Sequence, residues 1–368
     1  FVSSALQESL NEFFKKYNSA VSVEYMSNVE IEEGLNLNIC MDARYVIPKK
    51  VKEFLPDIVI SFGGNIFAGI KEQFRKFAGE FEHWLVQEDG RVVDLYKSIT
   101  TIFECKPEYF FQYCVKMADE NQFNDREYYQ GLKSYVDSVI YPDFPYSHVY
   151  AIKEVVEKIP ADSILHLSIN DSIRITNFFK LNPRIKTYAN IGTHGIDGCL
   201  SSFLGQAAAG DKQSYLVIGD LAFFYDMNAM RLRHIKNNVH ILLINNEGGS
   251  EFYFNHMWKD EASDLHTTAR HHTKAEDWVK SNNFIYLSAH DKKSMQEALK
   301  EFMRSDLDKP VFLEVFTEMK TDSDVIYDFF DLSRPKDVHS ETIRRSKEFI
   351  KATIGQEKAQ KIAGLFKK

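Results

Sequence analysis

The sequence predicts an α/β protein of two α/β domains, the C-terminal one a doubly wound, six-stranded, mostly parallel sheet. Three observations carry this. Short runs of strand length recur along the chain and alternate with stretches of helical spacing. In the second half, Tyr215 to Ile218 and Val239 to Ile244 read as strands buried on both faces of a parallel sheet. Tyr141-Pro142-Asp143-Phe144-Pro145, with two prolines in five residues, separates a first such pattern from a longer second one. It divides the chain into residues 1–140 and residues 141–368.

In the first part, residues 1–20 predict an amphipathic helix with Leu6, Leu10, Phe13 and Phe14 on one side. Asp57 to Ser61 reads as a buried strand. Phe62-Gly63-Gly64-Asn65 then turns into a helix over 66–77, and the glycine pair reads as a tight turn. Trp84 to Gln87 is a second strand, and helices follow at Pro107 to Ala118 and Asp125 to Ile140. In the second part the strands are Ile164 to Ile169, Thr187 to Ala189, Tyr215 to Ile218, Val239 to Ile244, Phe284 to Leu287 and Val311 to Phe316. Helices fall at Ser147 to Lys158, Asp171 to Phe179, Ile196 to Ala209, Asp226 to Lys236, Ala275 to Ser281 and Lys292 to Met303. Residues 322–338 read as a less regular connection, before a charged helix at 340–351 and a lysine-rich tail.

Composition bounds the function. The 368 residues suffice for two domains and a large core, and 44% hydrophobic with 27% charged residues is ordinary globular usage. A net charge of −8 implies no basic surface for nucleic acid. No apolar run reaches membrane-span length and no signal peptide is visible. The four cysteines, Cys40, Cys105, Cys114 and Cys199, lack a CxxC pairing and read as reduced thiols of a cytoplasmic protein. The chain starts on Phe1 rather than Met, which reads as a fragment.

Residues 214–252 organise the whole. The strand Tyr215 to Ile218 ends at Gly219-Asp220, and Asp226 stands at a helix N-cap. The next strand, Val239 to Ile244, ends at Asn245-Asn246-Glu247-Gly248-Gly249. Parallel strands joined by a helix bring their carboxyl ends to one sheet edge, where ligands bind in such folds. One tip offers a carboxylate, the other amide oxygens and a glycine turn that can expose a carbonyl. Hard oxygen donors of this kind suit Mg2+, which fills its remaining positions with water and phosphate oxygens. A second loop, Asn190 to Gly198, sits between strand and helix. Its glycines let backbone N–H groups face an anion.

Gly219-Asp220 followed 26 positions later by Asn246 resembles the GD…NN signature of thiamine-diphosphate (ThDP) enzymes. Asn237-Asn238 and Asn282-Asn283 lack the preceding strand. Gly192, Gly195, Ile196, Asp197 and Gly198, with Gly219, Asp220, Leu221, Tyr225, Asp226 and Asn228, narrow the likeness to the SEPHCHC synthases (MenD). So do Asn245, Asn246, Gly248, Gly249 and Phe252. Those enzymes join a succinyl semialdehyde unit from 2-oxoglutarate to isochorismate. The resemblance implies a central domain over 1–140 and a ThDP-binding fold over 141–368. It implies Mg2+ held by Asp220, the Asn246 side chain and the Gly248 carbonyl. Gly192, Thr193, Gly195, Gly219, Asp220, Leu221, Ala222, Asn246, Gly248 and Gly249 would contact the cofactor, with Ile196 as its apolar prop.

The departures from the family matter as much. An arginine that usually precedes the glycine loop is Ile191 here. The Asn-Ser-x-x-x-Arg run appears only as Asn170 to Arg174, one residue short. Ser250 and Glu251 replace a Gln and an apolar residue, and His194 replaces a small one. Isoleucine cannot fork onto a carboxylate as arginine does, so a changed 2-oxoacid substrate is expected, with Arg174 and His194 as substrate-binding candidates. His266, His271 and His272 do not fit the zinc helix spacing. The family activates its cofactor with a glutamate from a separate pyrimidine-binding domain, and nothing before Asp57 resembles that domain. The chain itself therefore offers no catalytic residue. It is expected to be inactive alone, as a truncated piece of a ThDP-dependent carboligase, a homodimer or tetramer in family terms, or as a chain whose partner supplies the domain. The alternative is a non-catalytic or structural subunit. A NAD-type fold is disfavoured, because no GxGxxG follows the first strand of either part.

Overall fold

Strand residues that are apolar on both sides need cover on both sides, and the second half of the chain supplies it. A computed structural model describes residues 2–31, 33–42, 48–64, 66, 69–119, 124–254 and 261–333. The expected helix at 340–351 and the tail lie outside them. Residues 1–332 form one compact unit and residues 333–368 a second. The described chain holds two sheets, both wholly parallel.

The first sheet has the order β1 (Ile58–Phe62), β2 (Glu82–Val86), β3 (Ile99–Phe103). β3 was not foreseen. Its run, Ile99-Thr100-Thr101-Ile102-Phe103, interrupts the apolar residues with threonines, and no residue in it is fully buried. The N-terminal helix, Ser4–Lys16, buries Leu6, Leu10 and Phe14 and is capped by Ser3, whose hydroxyl accepts from the Leu6 N–H.

The second sheet carries β4 (Ile164–Leu167), β5 (Lys186–Ala189), β6 (Ser214–Gly219), β7 (Val239–Asn245), β8 (Ile285–Ala289) and β9 (Val311–Phe316) in the order β5-β4-β6-β7-β9-β8. All six expected strands are present, and the sheet is all-parallel rather than mostly so. Side chains alternate between two cores. Tyr215, Val217, Leu242, Ile244, Leu313 and Val315 enter one face, beneath the helices His148–Val156, Lys292–Phe302 and Met319–Ser333. Leu216, Ile218, Ile241, Leu243 and Phe312 enter the other, beneath the helix Cys199–Ala208. Burial of a leucine- or phenylalanine-sized side chain contributes about 1.5–3 kcal/mol, so this double cover dominates the local stability. Strand order reverses between β4 and β6. The crevice at such a reversal, beyond the carboxyl ends, is the ligand edge of an open α/β sheet.

Two expectations need correction. The helix placed at Asp226–Lys236 lies earlier: β6 runs straight into a helix at Asp220–Asp226, followed by a 3-10 turn at Met227–Arg231. Asp226 takes the N-cap position of that turn but makes no side-chain cap there; its carboxylate instead accepts from the Ser201 N–H (2.7 Å) and hydroxyl (2.8 Å). It thereby satisfies an orphan donor in the first turn of Cys199–Ala208. That helix in turn starts at Cys199, three residues after the expected Ile196. The second correction concerns the stretch after β9, which is a 15-residue helix, Met319–Ser333. Its apolar face, Val325, Ile326, Phe329 and Phe330, is buried. The acidic residues at its start hid that periodicity.

Candidate functional site

Parallel register decides which loops meet. Gly219 pairs with Ile244 and Asn245 with Phe316, so β6, β7 and β9 end level. Asp220, Asn246 and Thr317 each follow one of those strand ends. Asp220 is 2% exposed. One of its oxygens accepts from the Leu221 N–H (2.6 Å), the other from the Gly248 N–H (2.9 Å). The carboxylate after β6 is thus joined to the glycine turn after β7.

That turn is specified by glycine. Gly248 has φ +152°, and a Cβ there would lie 2.7 Å from the Thr268 carbonyl oxygen. The next amide, Gly249 N–H, donates to the same carbonyl at 2.7 Å, and His271 N–H donates to the Glu247 carbonyl at 3.0 Å. The segment 268–271 therefore covers the turn. It also brings in a histidine that did not fit the zinc helix spacing. His271 Nε2 lies 3.3 Å from Asp220 Oδ2, while its Nδ1 accepts from the Thr273 N–H at 3.1 Å. With Nδ1 accepting, Nε2 is the ring nitrogen left to donate, and it stands at ion-pair distance from the carboxylate without a hydrogen bond to it. His266 and His272 do not join this cluster; His272 pairs with Glu247 at 3.1 Å.

The two asparagines have different employments. Asn245 donates to Glu314 (2.7 Å) and to the Thr273 carbonyl (2.9 Å), and its oxygen accepts from the Glu247 N–H (3.3 Å). It is fully occupied in holding the loop. Asn246 donates its amide to Asp322 at 3.0 Å. A carboxylate accepts only, so the nitrogen must face Asp322 and the oxygen is left for a ligand.

The other expected residues lie at the same carboxyl edge of the sheet. The loop Asn190–Gly198 follows β5, with Gly192, Thr193 and His194 exposed and Gly195 half-buried. Ile196 is half-buried against the core of the Cys199–Ala208 face. Leu221 and Ala222 stand in the first turn of the helix after β6. A Cβ at Gly192 or Gly219 would meet nothing within 4 Å, so a ligand can approach the backbone there. Arg174, in the helix after β4, already holds carboxylates. It donates to Glu251 through both nitrogens (2.5 and 3.1 Å) and to Asp171 (2.8 Å), with Asp42 3.9 Å away. An incoming substrate carboxylate would have to displace Glu251 from that fork.

Among the described residues no three His, Cys, Asp or Glu side chains converge as a metal site. One carboxylate, one amide oxygen and one turn carbonyl make the partial oxygen set that leaves room for water and phosphate around Mg2+. In this respect the residues fit a Mg2+-diphosphate group. In the first sheet Ser61 Oγ lies 2.6 Å from His83 Nε2, and His83 Nδ1 lies 3.6 Å from Asp94. Ser61 and His83 are buried inside β1 and β2, so this alignment gives one nitrogen of a buried imidazole a partner and presents no exposed nucleophile.

The edge thus defines an open parallel α/β protein with a strand-order reversal at its carboxyl ends, where proteins of this class bind their ligands. Comparison with known proteins narrows that class. No family model matches the chain. A 2-succinyl-5-enolpyruvyl-6-hydroxy-3-cyclohexene-1-carboxylate synthase of Bacteroides fragilis is 33% identical over 328 residues, covering 86% of this chain and 58% of that protein. The synthase of the same name from Bacteroides thetaiotaomicron is 33% identical over 297 residues, covering 80% and 53%, and that of Phocaeicola vulgatus 33% over 288 residues, covering 77% and 51%. The chain belongs to the ThDP-enzyme family of these SEPHCHC synthases (MenD). It spans about half the length of the curated relatives it matches.

Proposed function

We propose that this chain is the cofactor-binding part of a ThDP- and Mg2+-dependent carboligase or 2-oxoacid decarboxylase that resembles SEPHCHC synthase and takes a different substrate. The observation that carries the reading is the Asp220–Gly248 hydrogen bond beside Asn246. It puts the carboxylate, the amide and the turn carbonyl on adjoining strand tips, where Asp220, Asn246 and Gly248 would hold the ion. The loop at Gly192, Thr193, Gly195 and Ile196, with Gly219, Leu221, Ala222 and Gly249, would line the rest of the cofactor's path. Bound ThDP supplies a ring carbon that adds to the carbonyl of a 2-oxoacid. The residues of this chain bind and orient it, and none of them is assigned to the chemical step.

The changed substrate rests on the arginines. Ile191 stands where the family's carboxylate-binding arginine is expected, and the Arg174 fork is filled by Glu251. His194, exposed in the loop after β5, is the second substrate-side candidate. The reading further divides the chain into a central domain over 1–140 and a diphosphate-binding domain over 141–368. It places the protein in the cytoplasm and has a second copy or a partner chain complete the site. No helix among the described residues is long and apolar enough to cross a membrane.

Calorimetry with ThDP and Mg2+ tests the reading. The native chain should bind, and Asp220→Ala should abolish binding. Equal binding by that variant would reject the site.

A further inference from the structure

The turn from Asn246 to Ser250 is held at both ends by carboxylates that one histidine bridges. At its start, Asn246 Nδ2 donates to Asp322 Oδ2 (3.0 Å), which also accepts from the Thr317 hydroxyl (2.7 Å). At its end, the Ser250 hydroxyl donates to Asp171 Oδ2 at 2.8 Å. Between the two carboxylates lies His148, itself buried. Its backbone N–H donates to Asp322 Oδ1 at 2.8 Å, and its ring nitrogens stand 3.3 Å from Asp322 and 3.7 Å from Asp171. The ring contacts are ion-pair distances rather than short hydrogen bonds. Four separate elements meet here: the starts of the helices His148–Val156, Asp171–Thr176 and Met319–Ser333, and the loop after β7.

We propose that Asp322 is a positioning residue for the ion site: with His148 behind it, it fixes the Asn246 amide so that the oxygen, and not the nitrogen, is offered beside Asp220. The inference rests on the ion-site reading above and names residues that reading did not use. The alternative amide orientation would turn an acceptor onto an acceptor, so the carboxylate excludes it. Burial opposes a charge on His148, but Asp322 and Asp171 override it and hold its pKa at about 9. The histidine is therefore a cation at neutral pH, set between the two carboxylates. Partners of metal ligands that act in this way change metal affinity about 10–100-fold when removed.

A double-mutant cycle on the 368-residue chain separates positioning from general structural support. Mn2+ binding in the presence of ThDP is read by electron paramagnetic resonance, with thermal unfolding as the check on folding. Asp322→Ala should weaken Mn2+ binding about 10–100-fold when Asn246 is intact and have no further effect once Asn246 is replaced by Ala. Asp322→Asn, which keeps one acceptor oxygen, should fall between native and Ala, and it stands in if the alanine variant does not fold. Equal weakening in both Asn246 backgrounds, or none in either, would overturn the inference. Asp220→Ala, measured alongside, tells the two claims apart. If it leaves Mn2+ affinity unchanged, the ion-site reading fails. If it abolishes affinity while neither Asp322 variant has any effect, the positioning role alone fails.

Discussion

Replacing Gly219 by alanine should leave the fold intact and damage the ligand site. Gly219 ends β6 with φ −82° and ψ 161°, a conformation any L-residue adopts. Its added methyl would meet no atom within 4 Å. A compatible Gly→Ala change stabilises by about 0.4–1 kcal/mol through the unfolded chain, so Gly219→Ala should unfold at the native denaturant midpoint or slightly above it. The same methyl fills the space through which a diphosphate would reach the backbone beside Asp220. Loss of one hydrogen bond to a charged group costs about 1.5–3 kcal/mol, equivalent to about 10–100-fold in affinity. Urea titration measures the first quantity and calorimetry with Mg2+-ThDP the second. Unchanged affinity in a stably folded Gly219→Ala chain would refute the claim that the cofactor passes over this strand end.

Gly248→Ala should behave in the opposite way. Its φ of +152° and the Thr268 oxygen 2.7 Å from the added Cβ predict destabilisation of about 1–3 kcal/mol, seen as a lower urea midpoint without any ligand; a native midpoint would show that the turn has another conformation. Stability should also fall on both sides of neutrality. Burial depresses the pKa values of His166 and His240 to about 4. Their contribution is complete above about pH 6.5 and is lost as pH falls through 4, at about 3 kcal/mol each. His148, raised to about 9, acts in the reverse sense: its contribution is complete below about pH 6.5 and is lost as pH rises through 9. Unfolding midpoints at pH 4, 7 and 10 check both limbs, and a flat profile from 7 to 4 would contradict the buried neutral histidines.

Legibility followed the physics of each feature. The buried strands β6 and β7 are written as largely apolar runs, and the edge strands β5 and β8 still alternate with helical stretches, so all six of the second sheet could be read. β3, half-exposed with interleaved threonines, could not. The Asp220–Asn246 spacing was legible because parallel strands of similar length end level. Asp226 reads locally as an N-cap, but its partner is Ser201, 25 positions away. The same limit hid His271, whose approach to Asp220 depends on how the segment 268–271 folds over the glycine turn. His148 and Asp322 were invisible as a pair, since 174 positions separate them and only the sheet brings their helices together. Arg174 was found through its likeness to the family's Asn-Ser-x-x-x-Arg run, yet no local pattern shows that Glu251 occupies it.

The central claim is that Asp220, Asn246 and Gly248 grip one divalent ion. A crystal grown with ThDP and Mn2+ in place of Mg2+ tests it most directly, because the anomalous signal of manganese locates the ion independently of the protein atoms. One peak should lie about 2.0–2.2 Å from an Asp220 carboxylate oxygen, the Asn246 amide oxygen and the Gly248 carbonyl. A peak elsewhere on the chain, or one ligated by Asp220 while Asn246 stays out of reach, would contradict the account.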